Sequence, residues 1–265
     1  MTLDFPAAGR GFARPLADRV AFVTGAGSGI ARAGTLAMAR CGAHVVVTDR
    51  DATLAEATEG AIRDEGLSAT AMQLDVTDDA ALEAALAKAI ADHGRLDVLH
   101  SHAGLQIEGP LEAVSADGMD ASWALNVRAH FVASKAVVGQ MRAQGGGSII
   151  VTASNSGVQY DREMIAYATS KHAAVAMVRQ MAADYAGENI RFNALCPGFV
   201  DTPFNAGFET QMGGRAALEE YIASNIPMGR WATVEEIADA IVFLASDMSS
   251  FVTGHALVID GGECI

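Results

Sequence analysis

A tyrosine and a lysine four residues apart, with a serine upstream, are the side chains of this sequence best suited to acid–base chemistry. Tyr167 and Lys171 face each other across one turn if their segment is helical, and Ser154 lies thirteen residues before Tyr167. A nearby ammonium favours a phenolate, so Lys171 is predicted to lower the pKa of Tyr167 from its ordinary value near ~10. Such a phenol exchanges a proton with an alcohol or a carbonyl. Because this spacing is also common on ordinary helices, the pair alone does not establish a site.

A glycine-rich turn near the amino end is typical of a phosphate-binding loop. The run TGAGSGIA at residues 24–31 follows a predicted strand, 19–24, and opens a predicted helix, 29–41. Glycines let the backbone approach a pyrophosphate, and the start of a helix offers N–H groups and the positive end of the dipole. The turn is therefore predicted to bind a dinucleotide through Gly25, Ser28, Gly29 and Ile30.

Two charged residues at the end of the second predicted strand bear on the choice between NAD and NADP. Asp49 lies twenty residues after Gly29, where a carboxylate accepts hydrogen bonds from the ribose 2′-OH and repels a 2′-phosphate. Arg50 is a counter-signal, since a guanidinium binds phosphate. Position 28 is Ser and offers no second cation, so NAD is the predicted cofactor and NADP the less favoured one. The alternative for Asp49 is an N-cap of the following helix.

Strand-like and helix-like segments alternate along the chain, as in a parallel sheet covered on both faces. Strands are predicted at residues 19–24, 44–49, 69–74, 97–101, 148–153, 190–196 and 256–259. Helices are predicted at residues 29–41, 52–65, 78–93, 119–142 and 164–187. The prediction is a single-domain α/β Rossmann fold, a doubly wound parallel sheet of about seven strands with helices on both faces.

Two segments stand outside this alternation. Residues 1–17 contain two prolines and two glycines and are predicted to be a flexible amino-terminal arm, leaving 18–265 as the domain. Residues 204–230 carry several glycines around a helical patch at 216–224. An insertion at this point of the fold is predicted to be a substrate lid, with a surface excursion as the alternative.

Composition narrows the classes of partner. The chain has 265 residues, 51% of them hydrophobic, and a net charge of −14. Such a surface repels nucleic acid and anionic membranes, so neither is an expected partner. Three cysteines without C-x-x-C spacing fit a reducing compartment and a cytoplasmic protein, and the seven histidines form no H-E-x-x-H pattern, so no metal site is predicted.

These motifs together resemble the short-chain dehydrogenase/reductase family over roughly residues 16–262. The glycine turn is similar to the family's T-G-x-x-x-G-x-G, with Ala31 in place of the last glycine. The run SHAG at residues 101–104 stands where the family has N-N-A-G. The run PGFVDT at 197–202 resembles the stretch that contacts the nicotinamide end of the cofactor, and DGG at 260–262 resembles a signature found at a subunit interface. The resemblance implies a homotetramer.

The resemblance also implies a catalytic set and further cofactor contacts. The set is Asn126, Ser154, Tyr167 and Lys171: Ser154 bonds the substrate oxygen, Lys171 also holds the nicotinamide ribose, and Asn126 positions a water. Tyr167 and Lys171 are implied as cofactor contacts as well, together with Asp75, Val76, Ala103, Gly104, Pro197, Gly198, Val200 and Thr202. Asp75 has a capping carboxylate as its alternative. His102, which replaces an asparagine of the family, either braces its loop or faces the cofactor.

These expectations favour one function and leave two alternatives. The favoured one is an NAD-dependent oxidoreductase that interconverts a secondary alcohol and a ketone, acting on a polar small molecule such as a polyol, a sugar or a cyclic alcohol. Gln106, Glu108, Asn155, Gln159 and Tyr160 are expected in the substrate wall, with residues 204–214. The alternatives are an NADPH-dependent 3-oxoacyl-thioester reductase and a non-catalytic dinucleotide sensor.

Overall fold

The structure, a computed structural model, describes residues 14–265 and contains seven parallel strands in one sheet. The strands are β1 (Val20–Thr24), β2 (His44–Asp49), β3 (Ala69–Gln73), β4 (Val98–Ser101), β5 (Gly147–Thr152), β6 (Ile190–Pro197) and β7 (Ala256–Ile259). Their order in the sheet is β3-β2-β1-β4-β5-β6-β7. Strands β2 and β3 lie on one side of β1, and strands β4 to β7 lie on the other side. In such folds ligands bind in the crevice between the two central strands, here β1 and β4, where the strand order reverses. The predicted fold class is confirmed.

The strands are apolar on both faces because helices cover both. In β1, Phe22 packs into one core and its neighbours Ala21 and Val23 pack into the other. The covering helices are α1 (Gly29–Arg40), α2 (Ala52–Asp64), α3 (Asp79–His93), α4 (Ala116–Trp123), α5 (Ala129–Ala143), α6 (Ile165–Tyr185) and α9 (Val234–Ala245). Two further helices, α7 (Ala206–Gln211) and α8 (Arg215–Asn225), lie in the late insertion.

Several element boundaries follow from local capping. Asp51 and Asp78 each accept a bond from a backbone N–H of the helix that follows them, α2 and α3. Thr233 and Glu236 form a reciprocal capping box at the start of α9. Each of these side chains satisfies N–H groups that have no partner within the helix. The capping side chains thus fix the residues at which α2, α3 and α9 begin.

The structure differs from the sequence-based prediction in four places. The predicted helix 119–142 is α4 and α5 joined by a π-turn, Ala124–Arg128. Helices α7 and α9 were not predicted. The predicted arm, residues 1–17, lies mostly outside the described residues, but its last four residues form a turn in which Leu16 is buried and bonds the backbone of Cys41. This end of the arm therefore packs on the domain.

A buried carboxylate ties the amino ends of β1 and β4 together, far from the crevice. Asp97 is 3% exposed and accepts bonds from the backbone N–H of Val20 and from the guanidinium groups of Arg19 and Arg95. Burial opposes ionisation of Asp97, but these bonds outweigh it, and its pKa lies below the ordinary value. The carboxylate is therefore ionised and bonded in the folded protein.

Asp97→Ala should lower the free energy of unfolding by about 3 kcal/mol, because it leaves a buried N–H and two guanidinium groups without their acceptor. Since a depressed pKa stabilises the fold only while the carboxylate is charged, the deficit should shrink as pH falls below the ordinary aspartate value. Urea unfolding at neutral and acidic pH measures both effects. A loss under about 1 kcal/mol would contradict this role.

Candidate active site

A cavity of about 1160 Å³ opens at the carboxyl ends of the strands and brings together residues from distant parts of the chain. It runs from the turn after β1 to the insertion that holds α7 and α8. All but one of the residues predicted to form the site line it: Gly25, Ser28, Gly29, Ile30, Asp49, Arg50, Asp75, Val76, Ala103, Gly104, Ser154, Tyr167, Lys171, Pro197, Gly198, Val200 and Thr202. The exception is Asn126.

The glycine turn presents open backbone to this cavity. Gly25 and Gly29 have φ of +66° and +53°, a region that L side chains rarely adopt, and a Cβ on Gly25 would lie 3.2 Å from Ala103 Cα. Among the described residues, the Ser28 side chain makes no capping bond to α1. The first N–H groups of α1 are thus free to bind an anion, and the turn fits the pyrophosphate of a dinucleotide.

The carboxylate at the end of β2 lies against this turn. Asp49 accepts bonds from the backbone N–H groups of Gly27 and Asp51, each at 3.0 Å. The N-cap of α2 is Asp51, so the capping alternative for Asp49 is wrong. A Cβ on Gly27 would lie 2.8 Å from Asp49 Oδ2, and this close approach requires glycine there. Arg50 lines the same end of the cavity.

Asp75, two residues after β3, caps a local turn and lines the cavity. Its carboxylate accepts bonds from the backbone and hydroxyl of Thr77, at 2.9 and 2.7 Å, which together lower its pKa. It caps this local turn and not α3, which begins after Asp78. Asp75 also lines the cavity beside Val76.

Ser154 lies two residues after β5 and is the N-cap of a short 3₁₀ turn, Asn155–Gly157. Its hydroxyl donates to Asn155 Oδ1 at 3.1 Å and accepts from the backbone N–H of Ser156. This segment is a 3₁₀ turn and not an extended strand. The side chains of Ser154 and Ser156 are therefore not aligned as two residues on one face of a strand would be. Ser154 and Ser156 are both buried, and both line the cavity.

Tyr167 and Lys171 lie in the first two turns of α6 and both face the cavity. Lys171 Nζ is 5.6 Å from the centre of the Tyr167 ring and donates to the Thr152 carbonyl at 3.0 Å. The prediction that the pKa of Tyr167 lies below its ordinary value is wrong. Burial raises the Tyr167 pKa to about 12, against an opposing hydrogen bond with Ser154, and burial lowers the Lys171 pKa to about 8. Tyr167 therefore holds its proton at neutral pH.

Three imidazoles form a cluster that reaches Lys171: His100 and His130 are buried, and His102 is partly exposed in the cavity wall. Burial lowers the pKa of His100 and of His130 to about 3, and that of His102 well below its ordinary value. A charge on His102 or on His130 would also be repelled by Lys171. All three are therefore neutral near pH 7, and Lys171 is the charged group of this cluster.

His102 both braces its loop and lines the cavity. Its Nδ1 lies 3.0 Å from Thr152 Oγ1, which is also 2.9 Å from His100 Nε2. His100 Nδ1 is buried and finds no partner within residues 14–265, and an orphan acceptor is tolerated better than an orphan N–H. We therefore assign His100 Nε2–H as donor to Thr152, and the Thr152 hydroxyl as donor to His102 Nδ1. His102 then carries its proton on Nε2.

Asn126 lies in the π-turn between α4 and α5, behind the cavity wall. It is fully buried, its amide donates to Leu105 O and Ser170 Oγ at 2.9 Å, and its Oδ1 accepts from Leu105 N. A Cβ on Gly104 would lie 3.0 Å from Asn126 Oδ1 and 3.3 Å from Lys171 Nζ. Asn126 thus holds the loop after β4 against α6, and π-turns within α-helices are frequent at functional sites.

The late insertion closes the far side of the cavity. Phe204 lies 6.3 Å from Tyr167, measured between ring centres, and Phe208 packs both on Tyr167 and on the apolar cluster around Leu218 and Ile222. Gly207 lies against the Glu108 carboxylate. Phe204 and Phe208 of this segment thus lie beside Tyr167 on the far side of the cavity.

The predicted substrate wall is partly observed. Gln106, Asn155, Tyr160 and several residues of 204–214 line the cavity, whereas Glu108 and Gln159 lie behind it. Glu263 and residues 161–164 line it too and were not predicted. Glu263 follows the Gly261–Gly262 pair. These two glycines are typical of a turn after the last strand, and that turn is the feature of the sequence that could have placed Glu263 at the carboxyl edge of the sheet.

The part of the chain that the structure describes holds neither a candidate membrane-spanning helix nor a candidate metal site. No helix of residues 14–265 is long and apolar enough to cross a membrane. No three His, Cys, Asp or Glu side chains of that range are grouped so that they could hold a metal ion.

A dinucleotide cradle and a Ser–Tyr–Lys set in one cavity of a doubly wound sheet define a nicotinamide-dependent oxidoreductase. A family model described as "Enoyl-(Acyl carrier protein) reductase" matches residues 25–263. The chain belongs to the short-chain dehydrogenase/reductase family. It is an oxidoreductase that acts on CH–OH groups with NAD(P).

Three relatives illustrate the similarity. The chain is 38% identical to 2-keto-3-deoxy-L-fuconate dehydrogenase of Xanthomonas campestris pv. campestris, over 91% of this chain and 78% of that one. It is 37% identical to cis-4-hydroxycyclohexanecarboxylate dehydrogenase of Sinomonas cyclohexanicum, over 93% and 96%. A crystal structure from Beutenbergia cavernae, described as an NAD(P)-dependent gluconate 5-dehydrogenase with NADP bound at low occupancy, has 38% identity and a TM-score of 0.88, covering 95% of this chain and 99% of that chain.

Proposed function

We propose that the protein interconverts a secondary alcohol and a ketone on a polar small molecule, a polyol, sugar or cyclic alcohol, with NAD as its cofactor. The observation that carries the proposal is that Ser154, Tyr167 and Lys171 meet in one cavity with the open turn after β1 and with Asp49. A bound nicotinamide supplies the hydride acceptor or donor, and this chain supplies placement and proton transfer.

Each side chain of the proposed set has a distinct role. In the reductive direction Tyr167, which holds its proton, donates it to the carbonyl oxygen while Ser154 bonds the same oxygen as negative charge develops there. In the oxidative direction Tyr167 must first lose that proton, and the positive charge of Lys171 favours the resulting phenolate. Asn126 is a positioning residue, since it holds the loop after β4 next to Lys171.

The proposed preference for NAD over NADP depends on the Asp49 carboxylate. This carboxylate is held by two backbone N–H groups beside the glycine turn, where the adenosine ribose is expected to lie. A 2′-phosphate would bring two negative charges to this carboxylate. Two observations support NADP as the alternative cofactor. Arg50 lines the same end of the cavity, and the Beutenbergia cavernae protein is described with bound NADP.

We expect NADP to bind at least about tenfold more weakly than NAD, because of repulsion by Asp49. Asp49→Asn should narrow the difference to within about threefold, whereas Asp64→Asn, which removes an equal charge from the exposed end of α2 outside the cavity, should leave the ratio as it is. Fluorescence titration of both cofactors against the three proteins measures the ratio. Equal affinities in the wild-type protein would overturn the choice of NAD.

The substrate side of the proposal rests on the polar groups of the cavity wall. Gln106, Asn155 and Glu263 offer hydrogen-bonding groups there, as a hydroxylated substrate requires. We propose that residues 204–230 act as a lid, since Phe204 and Phe208 from this segment cover Tyr167. The enzyme is further proposed to be a cytoplasmic homotetramer, for which light scattering on the purified protein is the test.

A panel of sugars, polyols and cyclic alcohols, assayed with NAD at neutral and mildly alkaline pH, tests the proposal through absorbance of the reduced nicotinamide. Turnover of at least one secondary alcohol is the expected result. If NAD raises thermal stability but no member is oxidised, the non-catalytic sensor is favoured. If only 3-oxoacyl thioesters are reduced, and with NADPH, the thioester reductase is the function.

A further inference from the structure

We infer that Glu263 selects the substrate by charge: its side chain accepts a hydrogen bond from a hydroxyl or an ammonium group of the substrate and excludes substrates that place a carboxylate there. The inference rests on the proposed function, since it assigns a specificity-determining residue to the same cavity. The three relatives named above are described by substrates that are acids, so a charge selection by Glu263 would distinguish this chain from those three.

A turn after β7 brings Glu263 into the cavity. The Asp260 carboxylate accepts bonds from the backbone N–H groups of Gly262 and Cys264, at 2.9 and 2.8 Å, and Gly261 adopts a φ of +67°. The Cys264 thiol also donates to the Gln159 side chain. These bonds hold the last residues of the chain against the loop after β5, with Glu263 in the cavity wall.

A single asparagine side chain connects Glu263 to Ser154. Asn155 Nδ2 donates to Glu263 Oε2 at 2.8 Å, and Asn155 Oδ1 accepts from the Ser154 hydroxyl at 3.1 Å. An ionised carboxylate only accepts hydrogen bonds, so Glu263 fixes which end of the Asn155 amide points to Ser154. A substrate whose reacting oxygen is bonded to Ser154 therefore has its nearby substituents within reach of Glu263.

The surroundings of Glu263 make a donor or a cation the favoured partner. Asp161, from the loop after the 3₁₀ turn, and Asp260 face it with negative charge, and Tyr221 faces it from α8. Burial, with Asp161, raises the pKa of Glu263 to about 7. Hydrogen bonds from Asn155 and Gln159 leave acceptor capacity on a group with about four lone-pair sites. A substrate carboxylate placed here would be repelled by three negative charges, those of Glu263, Asp161 and Asp260.

Three cyclohexanols that differ only in their 4-substituent test the inference: 4-aminocyclohexanol, 4-(hydroxymethyl)cyclohexanol and 4-hydroxycyclohexanecarboxylate. At about pH 8 we expect kcat/KM to fall in the order cation, neutral, anion, with at least about tenfold between the first and the last. The difference should lie mainly in KM, because Glu263 is not a proton donor to the reacting oxygen.

The pH dependence of this ratio is a second measurement. The amine and the carboxylate keep their charges between about pH 6 and about pH 8, while Glu263 takes up a proton as pH falls through this range. The ratio of kcat/KM for the cation over the anion should therefore decline toward lower pH. Proton transfer at Tyr167 affects both probes alike, whereas Lys171 loses charge near pH 8 and shifts the ratio in the same direction, so the decline must be steeper in the wild-type protein than in Glu263→Gln. A ratio that is constant with pH would contradict the inference.

Variants complete the test. Glu263→Gln should bring the ratio to within about threefold at both pH values, whereas Glu220→Gln, which removes an equal charge from the exposed face of α8, should keep the wild-type ratio. Retention of that ratio by Glu263→Gln, with NAD binding intact, would overturn the inference. If no cyclohexanol is oxidised, the proposed function fails for this substrate class. Thermal shifts of the NAD-saturated protein then still show whether the amine binds more tightly than the carboxylate, and equal binding refutes the role of Glu263.

Discussion

Tyr167→Phe should lower turnover by a factor on the order of 10² or more while leaving NAD binding unchanged. The substitution removes one oxygen from a buried ring that packs on Phe204 and Phe208, so the shape of the cavity is kept. What is lost is the group that exchanges a proton with the substrate oxygen, and positioned acids and bases contribute on this scale. Steady-state assays give kcat, and a thermal shift with NAD gives binding.

Tyr160→Phe is the matched control for this variant. Tyr160 is 91% exposed and stacks on His172, and it has no lysine four residues on. Removal of its hydroxyl should change turnover by less than about tenfold, since exposed substitutions rarely disturb a site. If Tyr167→Phe retains near-wild-type turnover, or if both variants lose activity equally, Tyr167 is not the proton-transfer group.

The second large effect is expected from Ser154→Ala, which should reduce kcat by about 10²–10³, the scale for removing one donor to a developing oxyanion. KM should change much less, because the bond strengthens only as charge develops on the substrate oxygen. The kcat and KM of the variant are measured with any alcohol that the wild-type protein oxidises.

Ser156→Ala is the comparison for that variant. Ser156 is also buried in the 3₁₀ turn and lines the same cavity, and its loss is expected to cost at most about tenfold. Equal losses in the two serine variants would mean that the turn as a whole, and not the Ser154 hydroxyl, supports the reaction.

The parts of the site that lie on regular elements were predictable from sequence. Helical spacing places Tyr167 and Lys171 on one face of α6, and the strand–turn–helix order places the glycine turn at the edge of the sheet where Asp49 ends its strand. These relations depend on local geometry and on the direction of parallel strands, both of which are visible in the residue pattern.

Properties that depend on distant packing were not predictable in this way. The pKa of Tyr167 was predicted to fall but is raised, because the ring is buried among side chains that include Phe208, 41 positions further along the chain. The approach of Glu263 to Asn155 joins positions 108 residues apart in the chain. The π-turn that holds Asn126 has no local signature, since all of its residues also fit an α-helix.

Transfer of deuterium from a substrate labelled at the carbinol carbon tests the central claim most directly. The wild-type protein is incubated with NAD and the deuterated form of an alcohol that it oxidises, and the reduced cofactor is analysed by mass spectrometry. If Ser154, Tyr167 and Lys171 support hydride transfer from that carbon, the reduced nicotinamide carries the deuterium, and Tyr167→Phe forms the same labelled product far more slowly. Reduced nicotinamide without the label, or no reduction with any secondary alcohol, would contradict the account.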